Sequence, residues 1–203
     1  MKKNKIFIAC DSTNISKIKK IIRYTSNTEL KIGYKFGLEF LNSKNGRNFV
    51  SKLKNKIIFA DLKLHDIPNT CVSAIKAIKD LKVNYLTIHI SSGLEALKAA
   101  KKVSGSIRLV GVSILTSLDN KELKKIGFNK DVKKLVLQQA KLANKAKLDA
   151  IVCSAQEAKI VKKIFKKEII TPGIRLNSSS NDQKRVLTPK QAYKNGSDWL
   201  VMG

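Results

Sequence analysis

The chain has 203 residues, 43% of them hydrophobic, enough for one domain with a sizeable core yet short of the ~250 residues typical of a (β/α)8 barrel. Its formal net charge is +26, but five of the 41 basic residues are arginine and 36 are lysine. These lysines are spread over nearly every predicted helix without interleaved aromatics, which argues against a nucleic-acid platform and for solvated faces whose positive field attracts an anionic metabolite.

The chain opens with Met-Lys-Lys-Asn-Lys and passes directly into the run Ile6 to Cys10, then Asp11. It lacks the longer apolar region and cleavage site of a signal peptide, so a cytoplasmic location is expected. The longest apolar runs, such as Ile57 to Ala60, fall far below the ~18 residues that span a bilayer. No membrane partner is expected. Cys10, Cys71 and Cys153 are odd in number and widely separated, which suits reduced apolar packers rather than a disulfide framework or a zinc site.

Short apolar or β-branched runs then recur along the chain: Ile6 to Asp11, Leu30 to Phe36, Ile57 to Lys63, Tyr85 to Ile90, Arg108 to Ser113, Ala150 to Cys153, Ile169 to Thr171 and Trp199 to Met202. Lysine-rich segments with helical spacing lie between them, for instance Ile15, Ile18, Ile21 and Ile22, or Val132, Leu135, Val136, Gln139 and Leu142. Strand alternating with helix implies parallel strands joined by right-handed crossovers, and eight such units predict one α/β domain over 1–203, a (β/α)8 TIM barrel. No Gly-rich phosphate loop follows the first strand, which lowers the doubly wound alternative. The stretch Asn177 to Asp182 has the length of a βα loop. The eighth strand runs to Gly203 with no helix after it, and because a strand buried on both faces needs cover, a C-terminally truncated sequence or a partner-supplied layer is expected.

In such barrels the chemistry sits at the C-terminal ends of the strands, and three predicted strands end in charge. Asp11 follows Ile-Phe-Ile-Ala-Cys, Lys35 lies within Gly-Tyr-Lys-Phe-Gly, and Asp61 and Lys63 follow Ile-Ile-Phe-Ala. Alternation along a strand points Asp61 and Lys63 the same way, inward if Ile58 and Ala60 pack outward. Inward charges must be paired, so an ion network is expected there. Asp66 taken alone reads as a loop acid, with Asn69 or Thr70 placed to cap the next helix. His65 and His89 are too few for a histidine-rich metal site, and no metal is expected.

Taken as one string, Asp61-Leu-Lys63-Leu-His-Asp66-Ile-Pro-Asn69-Thr70 resembles the signature of the orotidine 5′-phosphate decarboxylase family, bacterial type, and the resemblance extends along the whole chain. Asp11 corresponds to the family's acid that holds the ribose hydroxyls. Leu115-Thr116-Ser117 resembles the segment whose Thr approaches the substrate. Cys153-Ser-Ala-Gln-Glu157 resembles the segment opening the sixth helix, and Thr171-Pro-Gly-Ile-Arg175 the one after the seventh strand. Arg175 and Gln183 occupy phosphate-side places. Two lysines, Lys31 and Lys35, each resemble the start of the family's Lys-Val-Gly-x-Glu; Lys35 is nearer the strand's C-terminal end and keeps the following Glu39, so it is preferred. Where the family continues the last strand with Gly-Arg, this sequence stops at Gly203, which lowers the expected grip on phosphate.

The resemblance implies cofactor-free loss of CO2 from orotidine 5′-phosphate to give uridine 5′-phosphate. In that scheme Lys63 stabilises the charge on carbon and protonates it, Asp61 faces the departing carboxylate, and Lys35 and Asp66 complete the array. It implies a homodimer in which Asp66 comes from the neighbouring subunit, and a loop, Asn177 to Asp182, closing over the phosphate. Three alternatives remain: a metal-dependent sugar-phosphate decarboxylase or synthase of the same superfamily, which lacks the Ile-Pro-Asn-Thr continuation; a basic nucleic-acid-binding protein; and a non-catalytic fragment.

Overall fold

The computed structural model describes residues 4–26, 28–174 and 187–203. The β-branched runs form eight strands: β1 (Lys5–Ala9), β2 (Lys31–Gly37), β3 (Ile57–Leu64), β4 (Tyr85–His89), β5 (Arg108–Val112), β6 (Ala150–Val152), β7 (Glu168–Thr171) and β8 (Trp199–Met202). All pair in parallel with their sequence neighbours, and β8 pairs with β1, so the sheet closes into a barrel in chain order. The helices are α1 (Ile15–Thr25), α2 (Leu38–Leu41), α3 (Gly46–Ser51), α4 (Pro68–Ile78), α5 (Leu94–Val103), α6 (Asn120–Lys125), α7 (Val132–Lys145), α8 (Ala158–Ile164) and α9 (Pro189–Lys194). Among the described residues, no helix is long and apolar enough to cross a membrane.

Strand alternation divides the core into two layers. Inward residues Phe7, Phe59, Tyr85 and Trp199, with Val110 and Ile170, fill the barrel. The Phe7 ring stacks on Trp199 at 4.1 Å between centroids and meets Phe59 at 4.8 Å. A Cβ at Gly33 would fall 2.6 Å from the Phe7 ring, so glycine on β2 leaves the space that this aromatic plug requires. Outward residues such as Ile58, Ala60, Leu86 and Ile88 pack under the helices with Ile18, Ile75, Leu97 and Val136. Full burial of each such apolar side chain stabilises the fold by about 1.5–3 kcal/mol relative to exposure.

Helix starts follow local chemistry. Asn14 accepts from the Lys17 N–H and starts α1, and Asp131 accepts from the Lys134 N–H and starts α7. Thr188 and Gln191 exchange hydrogen bonds as a capping box at α9. For α4 the expected cap is not used: Pro68 occupies the first turn, Ile67 precedes it without a side-chain cap, and Asn69 and Thr70 lie inside the helix. The rigid φ of proline starts this helix in place of a polar cap.

A charged cluster closes the N-terminal end of the barrel. Glu168, at the start of β7, accepts from Lys5, Trp199, Tyr85 and Arg108. With both oxygens occupied by donors, a half-buried carboxylate is satisfied there. Conserving the fold is the role such barrel ends serve, whereas the opposite end carries chemistry.

Candidate active site

The C-terminal ends of β1, β2 and β3 bring four of the predicted charges together. Register pairs Ala9, Lys35 and Phe59 across the three strands, so Lys35 and Asp61 emerge at neighbouring levels above the aromatic plug. Lys35 Nζ lies 3.1 Å from Asp11 Oδ1 and 3.7 Å from Asp61 Oδ2. Lys63 Nζ lies 2.9 Å from the same Asp61 oxygen. Asp61 and Lys35 side chains are 14% and 12% exposed, which leaves their charges to be satisfied mainly by one another. Acid and base therefore alternate along the chain of contacts Asp11, Lys35, Asp61, Lys63.

Lys31 shares the parity of Lys35 but begins β2, pairs with Lys5 at the opposite end of the barrel and is exposed. Position along the strand separates the two lysines, as the spacing before Glu39 suggested.

Simple alternation does not account for Lys63. The β3–β4 register shifts between Ala60 and Leu64, and Lys63 adopts φ +48°, a left-handed conformation that costs a non-glycine residue about 1–3 kcal/mol. The bulge is held by Thr87, which was not among the candidates read from sequence. Its hydroxyl accepts from the Lys63 backbone N–H at 2.7 Å and donates to Asp61 Oδ1 at 3.1 Å. Thr87 is an inward residue of β4 between Tyr85 and His89, and a polar residue at that parity was the available signal.

The charges open onto a cavity of about 360 Å3 at the barrel mouth, lined by Asp11, Lys35, Asp61, Lys63, Thr116 and Gly203. Its other wall is apolar, from Val112, Ile114, Val152, Pro172 and Val201. Such a volume, one charged side facing one apolar side, suits a planar polar ring carrying an anion. A Cβ at Gly203 would come 2.9 Å from that of Ala9, so glycine keeps this corner open. A larger groove, about 530 Å3 between α1 and α3, has Ile15, Ile22, Phe49 and Leu53 with Lys19, Arg23 and Lys52; it contains none of the clustered acids and bases.

Burial and neighbours tune the groups around the mouth. Burial pushes the Cys10 thiol up to about 12, and the adjacent Asp11 carboxylate adds to the effect. His89 is held below its usual value first by burial, then by His65 and Lys63. Its ring lies 5.0 Å from that of His65, whose Nε2 is 3.2 Å from the Ser91 hydroxyl. The pair borders the Lys63 side of the site, and the lowered value keeps His89 a neutral imidazole at neutral pH.

Asp66, Asn69 and Thr70 do not join this cluster within one chain. His65 to Thr70 form a continuous exposed stretch, with Ile67 66% exposed, and the Asp66 carboxylate accepts from the Ile67 N–H at 2.7 Å. Arg175, Gln183 and the segment Asn177 to Asp182 lie outside the described residues. Glu157 is buried at the start of α8 and accepts from the Ser154 N–H, so its segment shapes a turn.

Residues 4–203 match the family described as orotidine 5′-phosphate decarboxylase / HUMPS. The chain belongs to this family. It is 42% identical, over 98% of its length and 90% of the relative's, to the orotidine 5′-phosphate decarboxylase of Wolbachia pipientis subsp. Culex pipiens. The enzyme of that name from Ehrlichia chaffeensis is 46% identical over 83% of this chain and 76% of its own. Among solved structures, orotidine 5′-phosphate decarboxylase from Lactobacillus acidophilus superposes with a TM-score of 0.83 at 29% identity, over 98% of this chain and 89% of that one. The Methanocaldococcus jannaschii enzyme, complexed with the inhibitor BMP, shares the fold with a TM-score of 0.78 at 20% identity, covering 99% and 89% of the two chains.

Proposed function

We propose that this protein decarboxylates orotidine 5′-phosphate to uridine 5′-phosphate, in the biosynthesis of pyrimidine nucleotides, and that the Asp11, Lys35, Asp61, Lys63 array performs the reaction without a cofactor. The observation that carries this reading is the placement of Lys63 Nζ 2.9 Å from Asp61 at the mouth of a cavity with one charged and one apolar wall. Family membership supports it, and the names of the relatives favour it over a metal-dependent sugar-phosphate enzyme.

The difficulty of the reaction lies in the electron pair left on C6 of the pyrimidine when the C6–carboxylate bond breaks and CO2 departs. Lys63 holds a fixed ammonium against that carbon, so the developing charge meets a cation already in position. Its proton then passes to C6, giving the C6–H of the product, and solvent reprotonates the amine. Asp61 faces the departing carboxylate, and loss of CO2 relieves that repulsion. Lys35, between Asp11 and Asp61, fixes the array so that no group must reorient as the reaction proceeds. Asp11 takes the ribose hydroxyls, Thr116 approaches the base, and Arg175 and Gln183 bind the phosphate alongside Gly203.

Asp66 completes the site of a second subunit in a homodimer, and Asn69 and Thr70 beside it bind the substrate. The exposure of the whole stretch His65 to Thr70, including Ile67, supports this role. The three cysteines are buried, as small apolar packers are, and we assign the protein to the cytoplasm.

Subunit mixing tests both the reaction and its shared site. Lys63→Ala and Asp66→Ala should each be inactive alone on orotidine 5′-phosphate. Random reassortment gives half heterodimers, each with one intact site, so the mixture should regain about a quarter of wild-type turnover. A mixture as inactive as its parents would refute the shared site; an active Lys63→Ala protein would refute the mechanism.

A further inference from the structure

We infer that Thr87 is a positioning residue for the reaction: its hydroxyl holds Lys63 in the left-handed conformation of the β3 bulge and sets Asp61 against it. The inference rests on the decarboxylase reading for its kinetic consequence and on geometry alone for its structural one. Thr87 is 1% exposed and sits on the inward face of β4, one level below His89. Its hydroxyl links two atoms that belong to different parts of the array, the Lys63 backbone N–H at 2.7 Å and Asp61 Oδ1 at 3.1 Å.

Hydroxyl stereochemistry makes the link directional. A threonine oxygen has one proton, and the carboxylate can only accept, so that proton goes to Asp61. The Lys63 N–H can only donate, so it takes a lone pair of the same oxygen. One side chain therefore satisfies the amide released by the bulge, where the β3–β4 ladder shifts register between Ala60 and Leu64, and fixes the carboxylate rotamer as well. Asp61 is thus held at both oxygens, Oδ1 by Thr87 and Oδ2 by Lys63 and Lys35. Lys82 and Lys147 take the left-handed conformation in turns that follow helical segments, but inside a strand such a backbone needs its surroundings to hold it. Thr87 supplies that constraint and does not itself reach the cavity lining.

The nearest alternative role is packing, since the whole Thr87 side chain is buried. Three variants separate the two. Thr87→Val keeps shape and volume but removes the hydroxyl; Thr87→Ser keeps the hydroxyl and removes the methyl; Thr87→Ala removes both. Positioning predicts that Val lowers kcat on the order of 10²-fold, the effect of misplacing a reacting group by about 1 Å. It also predicts a KM for orotidine 5′-phosphate within a few fold of wild type, and a Ser variant near wild type in kcat. Equal kcat for Val and wild type would overturn the inference, as would a Ser variant as impaired as Ala. The Ser–Ala comparison decides the question if Val does not fold.

A crystal structure of the Val or Ala variant reads the same claim without turnover. Lys63 should leave φ near +48° and its Nζ should move away from Asp61. A Lys63 superimposable on the wild-type residue would overturn positioning. Absence of turnover in the wild-type protein itself would instead count against the decarboxylase reading, leaving the crystallographic outcome to decide on Thr87.

Discussion

Replacing Glu168 with glutamine tests whether the base of the barrel serves stability while its mouth serves chemistry. Oε1 of the carboxylate accepts from Lys5 Nζ at 3.0 Å and Trp199 Nε1 at 3.2 Å. Oε2 accepts from the Tyr85 hydroxyl and from Arg108, both at 2.9 Å. A glutamine has one oxygen. The indole can only donate, whereas the tyrosine hydroxyl can turn and accept, so the amide oxygen should face Lys5 and Trp199 and the amide NH2 should face Tyr85. Arg108 then loses its carboxylate acceptor and keeps the Tyr85 hydroxyl, to which it donates at 3.1 Å; its side chain is 54% exposed and can also turn to water, a loss of about 1 kcal/mol or less. Lys5, 21% exposed, exchanges a carboxylate for a neutral acceptor, which costs about 1–2 kcal/mol more.

The expected total is about 1–3 kcal/mol, or roughly 2–12 °C in Tm for a domain of this size, read by urea unfolding and calorimetry at pH 7. Turnover of orotidine 5′-phosphate should be unchanged, because Glu168 starts β7 and the catalytic groups lie at the other end of the strands. Burial alone would raise the Glu168 carboxyl, but hydrogen bonds from Lys5, Tyr85 and Trp199 outweigh it and hold the group below its ordinary value. With the folded value below the unfolded ~4.3, its stabilisation is complete above that pH and is lost as pH falls through the folded value. Wild type and variant should therefore converge in acid. Equal stability at pH 7, or a gap that widens in acid, would refute the reasoning.

Lys35→Ala should lower kcat/KM on the order of 10²–10³-fold, whereas Lys31→Ala should stay near wild type, since only Lys35 contacts Asp11 and Asp61; a larger loss at Lys31 in steady-state kinetics would reverse the assignment. With its thiol pushed up to about 12 by burial first and Asp11 second, Cys10 should resist iodoacetamide at pH 8 in the native protein and react only after unfolding, as mass spectrometry of the labelled peptide would show. Native-state labelling of Cys10 would contradict that environment.

The barrel was legible because its strands are short β-branched runs separated by lysine-rich helical periods, and the observed limits differ from the predicted ones by a residue or two. Parity also placed Asp61 inward, with Ile58 and Ala60 in the outer layer. The bulge was not legible, since alternation assumes extended backbone and nothing in Asp-Leu-Lys marks a positive φ at Lys63. Thr87 escaped for a related reason: a lone threonine in a strand reads as β propensity, and its partners lie 24 and 26 positions earlier in the chain. Glu168 falls outside the seventh predicted strand, because a charge beside Lys166 and Lys167 resembles solvated surface; pairing with β8 brings Trp199 to it and barrel closure brings Lys5. Asp66 illustrates a different limit, because its proposed site lies on another subunit and no single-chain pattern can place it.

The central claim is that Lys63 provides both the cation and the proton for loss of CO2. Its most direct test is release of labelled CO2 from carboxyl-labelled orotidine 5′-phosphate by the purified protein, measured beside Lys63→Ala. Turnover by the wild type with a loss of at least about 10³-fold in the variant, the folds being equal by circular dichroism, is the predicted result. A wild-type protein that releases no CO2, or a Lys63→Ala protein that releases it as fast, would contradict the account.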